Sequence, residues 1–268
     1  MNLKNGLVVG LFLFFTSFQS CAQQKNTPKK TPATTMVKID SAQWRKENFI
    51  VNRDSAYSNP YFALQKLTGG NERFQRSKSI FPRQDPVLIR RLSEGQKPFA
   101  TIVGCSDSRV SSEILFDQGF GDLFVSRTAG QVMAQATYGT IEYAYLALGT
   151  KLIVVLGHSS CGAVDAAIKR PENPPGHIVT LINSIKPAAV EVQGMAGDKL
   201  ENAVRQNVIK QVNELRQLES VLSRAYDSGE LLIVGAVYNL TNGRVEFLKE
   251  TLENLPKTKY TLNDITGK

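Results

Sequence analysis

The chain has 268 residues, 42% of them hydrophobic and 21% charged, enough for one sizeable domain with a core and too apolar for wholesale disorder. Its net charge of +8 comes from Lys and Arg spread along the chain, clustered only at Lys25, Lys29 and Lys30, and no basic stretch is interleaved with aromatic residues; nucleic-acid binding is therefore rejected. Three Cys and two His are too few for a disulfide scaffold, yet Cys105, His158 and Cys161 each stand at or just past the end of an apolar run.

Residues 1–20 read as an export signal, with Lys4 ahead of an apolar stretch from Leu7 to Phe15 that is too short to span a membrane comfortably. Ser20-Cys21-Ala22 resembles the cleavage site of a bacterial lipoprotein, where Cys21 becomes the first mature residue and carries lipid. A plain secretion signal and a retained anchor are the alternatives. The expected location is outside the cytoplasm, periplasmic or tied to a membrane through that lipid. Residues 21–57 form a tether and arm: Ala22 to Lys38 is rich in Lys, Thr, Pro and Gln, and Lys38 to Tyr57 has the makings of a short helix around Trp44.

The folded domain is expected over residues 58–260. Asn59 to Arg76 carries Leu64, Leu67 and Phe74 at helical spacing behind an Asn-Pro start, with Gly69-Gly70 expected to weaken its middle. Asp85 to Glu94 is a second helix. The apolar run Thr101–Gly104 reads as a buried parallel strand delivering Cys105 to its carboxyl end. Asp107 and Arg109 follow at alternate positions, so an extended chain would point them the same way. A helical turn over Ser111–Phe116 leads to a second strand at Leu123–Val125. Ala136 to Leu148 reads as a helix closed by Gly149. Lys151–Leu156 is a third strand, running into Gly157-His158-Ser159-Ser160-Cys161-Gly162, and Gly162–Lys169 starts the next helix. Ile178, Leu181, Ile182 and Ile185 mark an amphipathic helix; Val204, Val208, Val212, Leu215 and Leu222 mark one long helix from Leu200 to Tyr226. Leu231–Tyr238 is a fourth strand, and Asn242-Gly243 turns the chain into a fifth at Arg244–Leu248. Alternating strands and helices predict an α/β fold, a mostly parallel sheet flanked by helices on both faces.

Cys105, His158 and Cys161 make a zinc set: thiolate and imidazole suit Zn²⁺, and His158-x-x-Cys161 lets a strand end and a helix start share one ion. The remaining His and Cys are His177 and Cys21, so a fourth nitrogen or sulfur ligand is scarce. That favours an open, catalytic position, with Asp107 as the candidate carboxylate if the position is closed. Two thiolates cancel the cation's formal charge, so activity should rise toward alkaline pH.

Cys105-Ser106-Asp107-Ser108-Arg109 together with His158-Ser159-Ser160-Cys161-Gly162 resembles the β-class carbonic anhydrases, in motif, order and separation. The likeness runs from about Asn59 to Leu248 and includes Gly70-Asn71-Glu72-Arg73-Phe74, Ile141-Glu142-Tyr143-Ala144 and Gly235-Ala236-Val237-Tyr238. It implies zinc on Cys105, His158 and Cys161, and reversible hydration of carbon dioxide to bicarbonate and a proton through hydroxide generated at the metal. It implies an Asp107–Arg109 pair beside the ion. In the plant-like branch it implies a substrate pocket lined by Gln96, Phe124, Tyr143 and Gly162. It also implies a homodimer or larger homo-oligomer with pockets at the subunit interface, so that Gln96 and Tyr143 serve the partner's zinc. Ile102 stands where the bicarbonate-regulated branch has Trp, although Val110 and Arg127 match that branch; Gln131 replaces a common Asn. Hydrolysis of carbonyl sulfide or carbon disulfide on the same fold, and a noncatalytic zinc-stabilised binding protein, are the rival functions.

Overall fold

A computed structural model describes residues 59–256. The export signal, Cys21, the tether and the helix expected around Trp44 lie outside the described residues. The first helix, α1 (Pro60–Gln75), begins where Asn59 accepts a hydrogen bond from the Tyr61 amide. It spans nearly the whole expected range and is continuous through Gly69-Gly70. A Cβ on Gly70 would lie 1.7 Å from the Phe116 carbonyl oxygen, so the glycine lets two backbones touch. The next helix, α2 (Pro86–Leu92), is capped by Asp85 and is shorter than expected.

The sheet has the order β2-β1-β3-β4-β5. Strands β1 (Ala100–Cys105), β3 (Leu152–His158) and β4 (Leu232–Tyr238) form its centre. β2 (Leu123–Thr128) pairs parallel with β1 at one edge. β5 (Val245–Phe247) pairs antiparallel with β4 at the other. All other pairings are parallel. β2 continues three residues beyond the expected end, because its backbone pairs with β1 as far as Thr128 opposite Cys105.

Period-two alternation divides the central strands between two cores. Ile102, Val154, Leu156, Val234 and Ala236 face α1 (Ala63, Leu67) and the short α3 (Ser112–Leu115). Val103, Ile153, Val155 and Ile233 face the opposite helices, α4 (Gln135–Leu146), α7 (Lys199–Gln217) and α8 (Ser220–Asp227). Helices α5 (Gly162–Lys169) and α6 (Ile178–Glu191) lie between β3 and α7 in the chain, and α9 (Lys249–Leu252) follows β5. The result is the expected α/β fold.

The single helix expected from Leu200 to Tyr226 is two helices. The chain leaves helical geometry at Glu219 (φ −80°, ψ 111°), whose carboxylate turns back onto the amides of Val221 and Leu222, at 2.8 and 2.7 Å, to start α8. Among the described residues no helix is long and apolar enough to cross a membrane.

Candidate metal centre

β1 and β3 are neighbours, and both end at the same edge of the sheet. Cys105 is the last residue of β1 and His158 the last of β3. Cys161 is the residue from which α5 starts, brought round by a left-handed turn at Ser160 (φ 54°). Their ligand atoms all lie within 4.8 Å of one another, and all three residues are buried. The His158 ring places Nδ1 2.9 Å from the Ser159 carbonyl, so Nδ1 carries the proton. Nε2 is left as a buried lone pair without a hydrogen-bond partner, an expensive arrangement unless something electron-poor binds there. Two sulfurs and one such imidazole nitrogen are the soft donor set that zinc prefers.

Electrostatics agree with thiolate chemistry. The Cys105 thiol is pushed down, chiefly by the hydrogen bond from Cys161, against the opposing effect of burial, and with help from His158 and the Gly130 amide. Gly130 N–H donates to Cys105 Sγ at 3.2 Å. Cys161 is pushed up by its bond to Cys105 and by burial. A metal ion would displace the shared proton and leave both sulfurs ionised.

Asp107 and Arg109 meet beside this cluster by a route other than strand alternation. The chain past β1 is a turn in which Val110 N–H donates to the Asp107 carbonyl. The Asp107 carboxylate accepts from the Arg109 amide (2.9 Å), Nε (2.9 Å) and Nη2 (2.7 Å), a forked pair. Its Oδ2 lies 3.8 Å from His158 Nε2. Arg109 holds the carboxyl well below the usual carboxylate range, against a smaller effect of burial. The carboxylate is thus ionised, close to the donor cluster, and restrained by arginine.

Gly162, the first residue of α5, directly follows Cys161. The other expected pocket residues are not gathered at the cluster of their own chain. Gln96 is exposed in the loop before β1. Phe124 stands opposite Thr101, four residues before Cys105 and so roughly 13 Å along the sheet from it. Tyr143 is 50% exposed on α4, its ring centroid 6.1 Å from that of Phe124. These two aromatics therefore share a surface on the β2 edge.

Sequence reasoning missed several supports. Arg127 donates to the carbonyls of Cys105 (2.9 Å) and Asp107 (2.7 Å), clamping the turn between them. Asn207 and Gln211 of α7 donate to the Gly130 carbonyl. The available signal was the presence of two amides on the buried face that also carries Val204, Val208 and Val212.

A family model described as "Carbonic anhydrase" matches residues 100–245. A carbonic anhydrase from Mycolicibacterium smegmatis is 40% identical over 192 residues, covering 70% of this chain and 93% of that protein. Among solved structures, the β-carbonic anhydrase CcaA superposes with a TM-score of 0.56 at 28% identity, covering 72% of this chain and 98% of that one. One of two tetrameric β-carbonic anhydrases from Sordaria macrospora gives a TM-score of 0.55 at 25% identity, over 70% and 96%. With a buried Cys-His-Cys cluster at the carboxyl ends of adjacent parallel strands, and these relatives in sequence and fold, the chain belongs to the β-carbonic anhydrases.

Proposed function

We propose that this protein is a carbonic anhydrase that interconverts carbon dioxide and bicarbonate, with zinc held by Cys105, His158 and Cys161. The observation that carries the reading is the His158 Nε2 lone pair, buried, unpartnered and facing two cysteine sulfurs, with an arginine-restrained carboxylate at 3.8 Å. Zinc on these residues would supply a Lewis acid that lowers the pKa of bound water, less far with two thiolate ligands than with neutral ones, so that activity rises toward alkaline pH. Asp107, ionised, is the acceptor that orients the attacking water's proton. Arg109 keeps that carboxylate charged and engaged in the forked pair rather than free to swing onto the metal. The noncatalytic alternative requires Asp107 to occupy the fourth corner; its bidentate bond to Arg109 favours the catalytic one.

The deciding experiment pairs zinc content with carbon dioxide hydration. Asp107→Ala is expected to retain zinc and lose about a hundredfold or more in turnover. Cys161→Ala is expected to lose the metal. Equal metal content in the two variants would contradict the assignment. Carbonyl sulfide and carbon disulfide, assayed alongside, separate the hydrolase alternative.

The same reading includes Gln96, Phe124, Tyr143 and Gly162 as the substrate pocket, and a homo-oligomer whose second copy supplies part of that wall. The exposed positions of Gln96 and Tyr143, and the tetrameric relatives, support it. Export and lipid attachment at Cys21 complete the proposal. Mass spectrometry of the amino terminus of membrane-extracted protein tests them, and an unmodified chain beginning at Met1 would refute both.

A further inference from the structure

We infer that Asn207 and Gln211, on α7, are positioning residues of the metal centre, acting through Gly130 on the Cys105 sulfur. The inference rests on the zinc reading above and deepens it. Gly130 touches the cluster directly, its amide donating to Cys105 Sγ at 3.2 Å. Such a bond to a charged sulfur is strong only while the N–H stays aimed at it. Glycine does not hold its own aim, because both of its backbone torsions are free. Gly130 is held from outside in a left-handed conformation (φ 64°, ψ 21°).

Two kinds of restraint are visible. One is steric: a Cβ at Gly130 would lie 2.6 Å from Ile185 Cδ1 and 3.2 Å from Ala163 Cβ, so α6 and α5 close in on the residue. The other is polar. The Gly130 carbonyl accepts from Asn207 Nδ2 at 3.1 Å and from Gln211 Nε2 at 3.4 Å, and Gln211 Nε2 also lies 3.4 Å from Asn207 Oδ1. Asn207 is 2% and Gln211 7% exposed, in the middle of a helix face otherwise made of Ala203, Val204, Val208, Val212 and Leu215.

Packing alone does not account for two amides there, since apolar side chains would fill that face without desolvating polar atoms. Gln211 Oε1 is buried with no hydrogen-bond partner, so the helix tolerates a half-satisfied amide. What the pair achieves is to fix one carbonyl, and with it the residue whose N–H reaches the thiolate. The chain of contacts runs from α7 to Gly130 to Cys105, a third layer around the ligands.

The test uses the full chain carrying Asn207→Leu, Gln211→Met, or both, with Val208→Ala as control. Val208 lies between the two amides and packs against Gly157 and Gly235, so its truncation loosens the same helix and spares both hydrogen bonds. Two readouts are independent of turnover: the rate of zinc loss to a competing chelator, and the thiolate-to-cobalt charge-transfer band after cobalt(II) substitution. The double variant is expected to lose zinc about tenfold faster, the low end of what loss of an outer partner costs, and to move the band to longer wavelength. Val208→Ala should melt earlier and leave both readouts at wild-type values. If Asn207→Leu does not fold, Gln211→Met alone, read by the cobalt band, decides the matter.

A folded double variant indistinguishable from wild type in both readouts would overturn the inference, as would an equal shift in Val208→Ala. Wild-type protein that takes up neither zinc nor cobalt(II) would instead sink the metal reading itself.

Discussion

Gln131 sits one residue beyond the amide that reaches Cys105, and it is the least comfortable residue near the site. Its φ is +47°, a region in which a side chain other than Asn or Asp costs about 1–2 kcal/mol. It is 1% exposed, and neither atom of its side-chain amide has a hydrogen-bond partner. The family's common Asn suits that backbone for a local reason, since a short amide tolerates the left-handed region. Gln131→Asn should therefore stabilise the protein by about 1 kcal/mol, read as a higher urea midpoint with an unchanged slope. A lower midpoint would mean that the longer side chain's packing outweighs the backbone cost. The sequence displayed the departure at Gln131 but not its conformation, because φ at this turn is set by contacts from α5, α6 and α7. By contrast the three donors were legible outright: a Cys or His at or just past the end of an apolar run needs no long-range information to be suspected.

Elements were read most reliably where burial fixed them. The three central strands are almost wholly buried, and their apolar runs marked them directly. The break between α7 and α8 was missed because the apolar stripe steps from Leu215 to Leu222, two helical turns, without losing phase. What ends one helix and starts the next is Glu219, whose carboxylate caps two amides. Glu is an unusual cap, so no start signal stood out. Glu219→Ala should cost about 1 kcal/mol at neutral pH. Burial raises the carboxyl's pKa, but Glu142 and the amides of Leu222, Val221 and Ser220 lower it by more, so the net shift is downward. A carboxyl whose folded pKa lies below its unfolded value contributes stability above the unfolded value and loses it as pH falls through the folded one. The gap in Tm between wild type and Glu219→Ala should therefore narrow as the solution is acidified below the ordinary Glu pKa of 4.5. A gap independent of pH would show that the cap does not depend on ionisation.

On the scale of the whole molecule, the groups assigned to catalysis fall into two sets that one copy does not bring together. The donors, Asp107 and Arg109 sit at the carboxyl ends of β1 and β3. Phe124 and Tyr143 lie farther back on the β2 edge, and Gln96 lies in the loop that leads into β1. The family resemblance named both sets and implied that Gln96 and Tyr143 serve the partner's zinc, an expectation that spacing within one chain could not supply because an intermolecular contact leaves none. If a second copy supplies the aromatic wall, two differently damaged chains should repair each other. Cys161→Ala removes the metal but keeps the wall; Tyr143→Ala keeps the metal and damages the wall. Each is expected to be nearly inactive alone. Unfolded together and refolded as a mixture, they should form mixed dimers in which one pocket has both parts intact, restoring about a quarter of the wild-type activity for random twofold assortment. Activity of the mixture no greater than the average of the two separate variants would place metal and wall within the same chain, and the second copy would then have no part in the pocket.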